Sequence, residues 1–172
     1  LPADEQSSIY RQLVARLGKD RVCLAAKPSD VSADRWASAA AVVFVCGSTS
    51  ERSYDSEFDD NGAAKAVAEY GATCGEGVDL SDIRLPWHQD EMLDEVVALT
   101  TAPVVSVVVC GRAHVLTHVI GQSAVTIWVG YAGQYGPQAV ADVLIDGAGL
   151  PGRLPVTLPA HPAAITVTYS FP

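Results

Sequence analysis

The chain reads as an α/β protein, with a mostly parallel sheet covered by helices on both faces. Three observations predict this. Residues 41–46 and 104–109 are almost unbroken apolar runs rich in valine, the pattern of strands buried on both faces. Amphipathic spacing of the helical kind recurs around and between those runs. Helix and strand patterns then alternate along the chain, which predicts a parallel sheet linked by right-handed crossovers. The 172 residues, 49% hydrophobic and 18% charged, suffice for one domain with a buried core and exclude a disordered chain.

Each element follows from its own residues. In residues 7–17, Ile9, Leu13, Val14 and Leu17 share one helical face, and Gly18 stops the helix. Residues 22–26 predict a short buried strand. Ser32 is placed to cap a helix over 33–40, which feeds the strand at 41–46. Residues 47–75 form a long polar and acidic connection, with a helical turn or two expected at 63–70. Gln89–Leu99 predicts a helix carrying Met92, Val96 and Leu99 on one side, followed by the strand Val104–Val109. A helix is expected over 112–120, a strand over 125–129 and a helix over 138–144. Residues 165–169 alternate as a late edge strand would, antiparallel to the rest.

Charge is unevenly placed. Eleven Lys and Arg face twenty Asp and Glu, for a net charge of −9. Residues 51–95 alone hold thirteen acids and three bases, while the rest is close to neutral. Without a basic patch, no nucleic-acid partner is expected. No apolar run approaches the roughly 18 residues of a membrane span, so no membrane partner is expected either. The first residues are Leu1-Pro2-Ala3-Asp4, with no initiator methionine, and the chain is expected to be a piece of something longer. Of four cysteines, Cys23, Cys46 and Cys110 fall in or beside apolar runs and read as small buried hydrophobes.

In a parallel α/β sheet, ligands bind beyond the carboxyl ends of the strands. That directs attention to residues 47–75, Gly111-Arg112 and the glycine-rich stretch 130–136. The latter is spaced GxxGxxG, unlike either common nucleotide-binding pattern, and fits a tight turn better than a phosphate cradle. His114 and His118 stand four apart, but no third ligand has matching spacing, so no metal and no cofactor is predicted. In Gly75-Glu76-Gly77-Val78-Asp79, two glycines flank one carboxylate. Such a glutamate can serve as a general acid if its surroundings raise its pKa toward neutrality.

The string from Gly75 through Leu85-Pro86-Trp87-His88-Gln89 resembles a signature of glycoside hydrolase family 3, in that family's second domain. Further landmarks follow in order: Val109-Cys110-Gly111-Arg112, then Gly133-Gln134-Tyr135-Gly136 leading to Ala141-Asp142-Val143-Leu144, then Gly152-Arg153-Leu154-Pro155-Val156-Thr157-Leu158-Pro159. The resemblance implies a three-layer αβα sandwich over residues 1–160, with 161–172 as an extension, edge strand or start of a linker. It also implies a retaining β-glycosidase of the glucosidase and xylosidase type, acting on β-linked sugars. Glu76 would be its acid/base, with Glu57 in Ser56-Glu57-Phe58-Asp59 as a rival that fits the spacing to Gln89 less well. Asp79, Arg112, Tyr131 and Tyr135 would line the sugar site. The nucleophile, an aspartate in the family, belongs to a preceding (β/α)8 barrel. Such a barrel takes about 250 residues, more than this chain has, so the chain is expected to be inactive alone. Leu80, Ala113 and Tyr135 depart from the residues usual in the family. Two readings of other classes stay open: a non-catalytic sugar- or protein-binding module, and a nucleotide-binding domain resting on the 130–136 loop.

Overall fold

The computed structural model describes residues 8–50, 60–61, 71–75, 78–150 and 152–164. Among the described residues, three strands form one parallel sheet in the order β1-β2-β3: Val42–Gly47, Val104–Val109 and Val125–Trp128. Register pairs Phe44 with Ser106, Cys46 with Val108, and Val108 with Trp128. Side chains alternate along a strand, so Phe44, Cys46, Val104, Val108 and Trp128 share one face.

That face carries the core. Helix α3 (Gln89–Leu99) and helix α4 (Thr117–Gln122) cover it with Leu93, Val96 and Val119, joined by Leu85, Cys110 and Leu116. Leu93, Val108 and Val119 have no exposed surface. On the other face Val107 and Ile127 are buried, while Val45 on the edge strand is half exposed. Helix α1 (Ile9–Leu17) packs on helix α5 (Gly136–Asp146), and Arg16 of α1 forms an ion pair with Asp142 of α5. The Ser8 hydroxyl accepts from the Arg11 amide and so caps α1. Short α2 (Ala33–Ser38) completes the set. The expected α/β fold with a parallel sheet and helices is what the chain adopts.

Two expected elements differ. Among the described residues, 22–26 belong to no strand and lie between 3-10 turns at Lys19–Arg21 and Pro28–Asp30. Leu24 is 68% exposed, and Cys23 is exposed rather than buried. A short apolar run can fill a buried strand, but a strand exists only where a partner edge is supplied. The helix expected at 112–120 begins only at Thr117, because the Val115 amide donates to the Ile83 carbonyl (3.0 Å) instead of to its own turn. Residues 84 and 115 thereby form an isolated parallel bridge. The helical turns expected at 63–70 and the edge strand at 165–169 lie outside the described residues. Among the described residues, no helix is long and apolar enough to cross a membrane.

Candidate functional site

The carboxyl ends of β1, β2 and β3 deliver Gly47-Ser48-Thr49, Cys110-Gly111-Arg112 and Gly130-Tyr131 to one rim of the sheet. At the end of β1, Gly47 has φ 141°, and a Cβ there would lie 1.8 Å from the Val109 carbonyl oxygen. Only glycine permits that approach. Gln89 then completes the strand end. Its Nε2 donates to the Gly47 carbonyl and to the Pro86 carbonyl (2.8 Å each), while its Oε1 accepts from the Gly47 amide (2.6 Å). The preceding Trp87 and His88 take left-handed φ values of 59° and 55° as the chain turns into α3. Two adjacent non-glycine residues in that region are costly and need surrounding contacts to hold them.

From β1 the chain runs to Thr49, which pairs with the segment ahead of residue 76. The Thr49 carbonyl accepts from the Thr73 and Cys74 amides at 2.8 and 3.1 Å, and the Thr49 amide donates to the Thr73 hydroxyl at 3.0 Å. Cys74 is 1% exposed, and its sulfur lies 2.6 Å from the Tyr131 hydroxyl, which donates to the Ser48 carbonyl at 3.1 Å. Gly111 makes room for this pair: a Cβ on it would lie 2.6 Å from the Tyr131 ring and 3.3 Å from the Cys74 sulfur. On the far side, Arg112 donates to the Val78 carbonyl (2.5 Å), and the Val78 amide donates to the Gly75 carbonyl (3.2 Å).

Glu76 and its rival Glu57 lie outside the described residues. Of the other residues expected to contact sugar, Arg112 and Tyr131 meet the two flanks of that loop, and Asp79 is exposed beside Val78. Tyr135 lies farther along, 71% exposed in the turn that opens α5. Ser48, Cys74 and Gly111 lie in strand-end segments the sequence pointed to, but their individual contacts, and the part played by Gln89, were not foreseen. Gln89 left a trace in its fixed spacing from Pro86. The Cys74–Tyr131 contact spans 57 positions and leaves no local signal.

The buried thiols and the phenol at the rim are biased toward their protonated forms. Burial pushes the Cys46 thiol up to about 12, with Cys110 and Asp90 adding to the rise. Burial raises Cys110 as well, and burial with the Cys74 contact raises the Tyr131 phenol. Desolvation raises Asp90 above the usual carboxylate range, while hydrogen bonds from Arg84 hold Asp82 at about 2. His114 and His118 do not converge. His114, fully buried, turns Nδ1 to the Ile83 carbonyl (3.1 Å), and His118 Nε2 meets Asp94 (2.9 Å). Among the described residues, no group of three or more His, Cys, Asp or Glu side chains could hold a metal.

The family model described as the glycosyl hydrolase family 3 C-terminal domain matches residues 2–171. The chain belongs to this family. A β-glucosidase of Rhizobium radiobacter is 39% identical over 93 residues, 54% of this chain and 11% of that protein. Beta-D-xylosidase 3 of Arabidopsis thaliana is 36% identical over 84 residues, 48% of this chain and 11% of that protein. A β-xylosidase/α-L-arabinofuranosidase of Medicago sativa is 31% identical over 115 residues, 60% of this chain and 15% of that protein. The chain thus spans only 11–15% of the length of these relatives. A crystal structure of a β-glucosidase from Listeria innocua with glucose aligns at TM-score 0.45 and 23% identity, over 60% of this chain and 11% of that one. Two of the four landmarks that suggested the family from sequence reach the rim in this structure, at Gly111-Arg112 and at Gln89.

Proposed function

We propose that this chain supplies the acid/base half of a retaining β-glycosidase acting on β-linked glucosides or xylosides. Glu76 protonates the departing glycosidic oxygen, then removes a proton from the water that releases the glycosyl-enzyme. Retaining chemistry needs a second carboxyl group about 5–5.5 Å away as nucleophile. In this reading an aspartate of a (β/α)8 barrel in the same parent protein provides it, so the chain alone does not turn over substrate. Asp79, Arg112 and the exposed faces of Tyr131 and Tyr135 border the sugar.

The observation that carries the reading is the tethering of both flanks of the Gly75–Val78 turn to the strand-end rim, by Thr49 and Tyr131 on one side and Arg112 on the other. A loop fixed at both ends beyond the strands is where an α/β protein presents a reacting group. The acidic character of residues 51–95 favours the protonated form of a carboxyl group placed there.

The test is Glu76→Ala in the full-length protein, with two aryl β-glycosides that differ in leaving-group acidity. Acid catalysis contributes about 10²–10⁴-fold, and it matters most when the leaving group is poor. A loss of about 100-fold or more in kcat/KM on the poor leaving group, with little loss in kcat/KM on the good one, is expected. Equal losses on both rule out the acid role.

A further inference from the structure

The Tyr131 hydroxyl faces inward although more than half of the residue is exposed. It donates to the Ser48 carbonyl. In the 2.6 Å contact with the Cys74 sulfur either atom can be the donor, so the phenol proton is shared between carbonyl and sulfur or the thiol supplies its own. The Ser50 side chain is a further neighbour of the same hydroxyl. Cys74 stands two residues before Glu76, and Arg112 holds the carbonyl of Val78 two residues after it.

We infer that the Tyr131 hydroxyl is a positioning group, pinning the start of the Glu76 segment to the end of β1 as Arg112 pins its end. The role rests on the acid/base reading of Glu76 and adds to it a device 57 positions away along the chain from Cys74. The ring supplies a surface, while the hydroxyl sets the place of the loop. Gly111 is part of the same device, because any side chain there displaces the ring from the thiol.

Two measurements on the full-length protein test the inference. The first needs no activity: the rate at which iodoacetamide alkylates Cys74 under native conditions, read by mass spectrometry. Tyr131→Phe keeps the ring and removes the pin, so alkylation is expected to accelerate about tenfold, the size of one hydrogen bond. An unchanged rate overturns the pin. The second is kinetic, with the same pair of aryl glycosides. Tyr131→Phe is expected to lower kcat/KM about tenfold on the poor leaving group and far less on the good one, the loss lying in kcat rather than in KM. A rise in KM with kcat unchanged, or equal loss on both substrates, overturns the positioning role.

The control separates the two ideas. Faster Cys74 alkylation together with a silent Glu76→Ala retains the pin and overturns the acid/base assignment. Unchanged alkylation together with a leaving-group-dependent Glu76→Ala does the reverse. Should Tyr131→Phe fail to fold, Cys74→Ser retains a donor and Cys74→Ala removes it. The alanine variant alone is then expected to show the kinetic defect, and identical behaviour of the two overturns the inference.

Discussion

The side-chain amide of Gln89 pairs with both backbone groups of Gly47, as a neighbouring strand would. Gly47 ends β1, and its amide and carbonyl meet Gln89 Oε1 and Nε2 at 2.6 and 2.8 Å. One side chain at the start of α3 thus stands in for a ladder partner and ties that helix to the sheet. Gln89→Leu leaves both groups unpaired in a partly buried place, and each unpaired group costs about 1–3 kcal/mol. Denaturant unfolding followed by tryptophan fluorescence is expected to show a loss in that range or above it. Gln89→Glu retains the acceptor for the Gly47 amide but faces two carbonyls with a carboxylate, so it is expected to rescue little.

Gly111→Ala is expected to destabilise by about 1–3 kcal/mol, the usual cost of forcing atoms into filled space. The added methyl would sit 2.6 Å from the Tyr131 ring, so the ring must move. The equilibrium midpoint in urea measures the loss. A midpoint equal to wild type contradicts the packing at this rim.

Arg112→Met retains the long stem and removes the guanidinium that holds the Val78 carbonyl. Hydrogen bonds to charged groups contribute about 1.5–3 kcal/mol. Amide exchange is expected to accelerate at Val78 and its neighbours while β2 stays protected. Uniform acceleration through the sheet would point to global weakening instead.

His114 gives the domain an acid limit. Burial lowers its pKa below 6.5, so the unfolded chain binds a proton that the folded chain refuses. Stability is therefore complete above about pH 6.5 and declines as pH falls below it, toward the lowered folded value. The slope from this one group is at most about 1.4 kcal/mol per pH unit. Unfolding free energies measured from pH 7.5 to 5 are expected to flatten in His114→Asn, whose amide can still donate to the Ile83 carbonyl.

The four thiols are expected to react in a definite order. Cys23 is exposed and labels first. Cys46, buried and held up to about 12, stays unlabelled at pH 8 until the domain unfolds. Peptide mapping after brief alkylation reads both.

Much of this architecture was legible in the residues. Val104–Val109 and Gln89–Leu99 form with the bounds their patterns indicated, because an all-apolar run and an amphipathic repeat depend on near neighbours. Residues 22–26 were misleading for the converse reason. They are apolar enough for a strand but have no partner strand among the described residues, and pairing is not a local property. At 112–116 the helical spacing was present, yet the Val115 amide found the Ile83 carbonyl across the fold, and the helix starts later.

The sequence by itself determined the α/β class, the parallel character of the sheet and, through four ordered landmarks, the family. These are carried by periodicity and by short motifs, each readable within a short stretch of chain. Only the tertiary structure decided how the rim is held: that Gln89 closes β1, that Gly111 admits a tyrosine ring, and that Tyr131 and Arg112 grip opposite flanks of one loop. The hydrogen bonds among them join residues 34 to 57 positions apart along the chain. A hydrogen bond acts over about 3 Å, so it is set by where the folded backbone brings two atoms and not by their order along the chain.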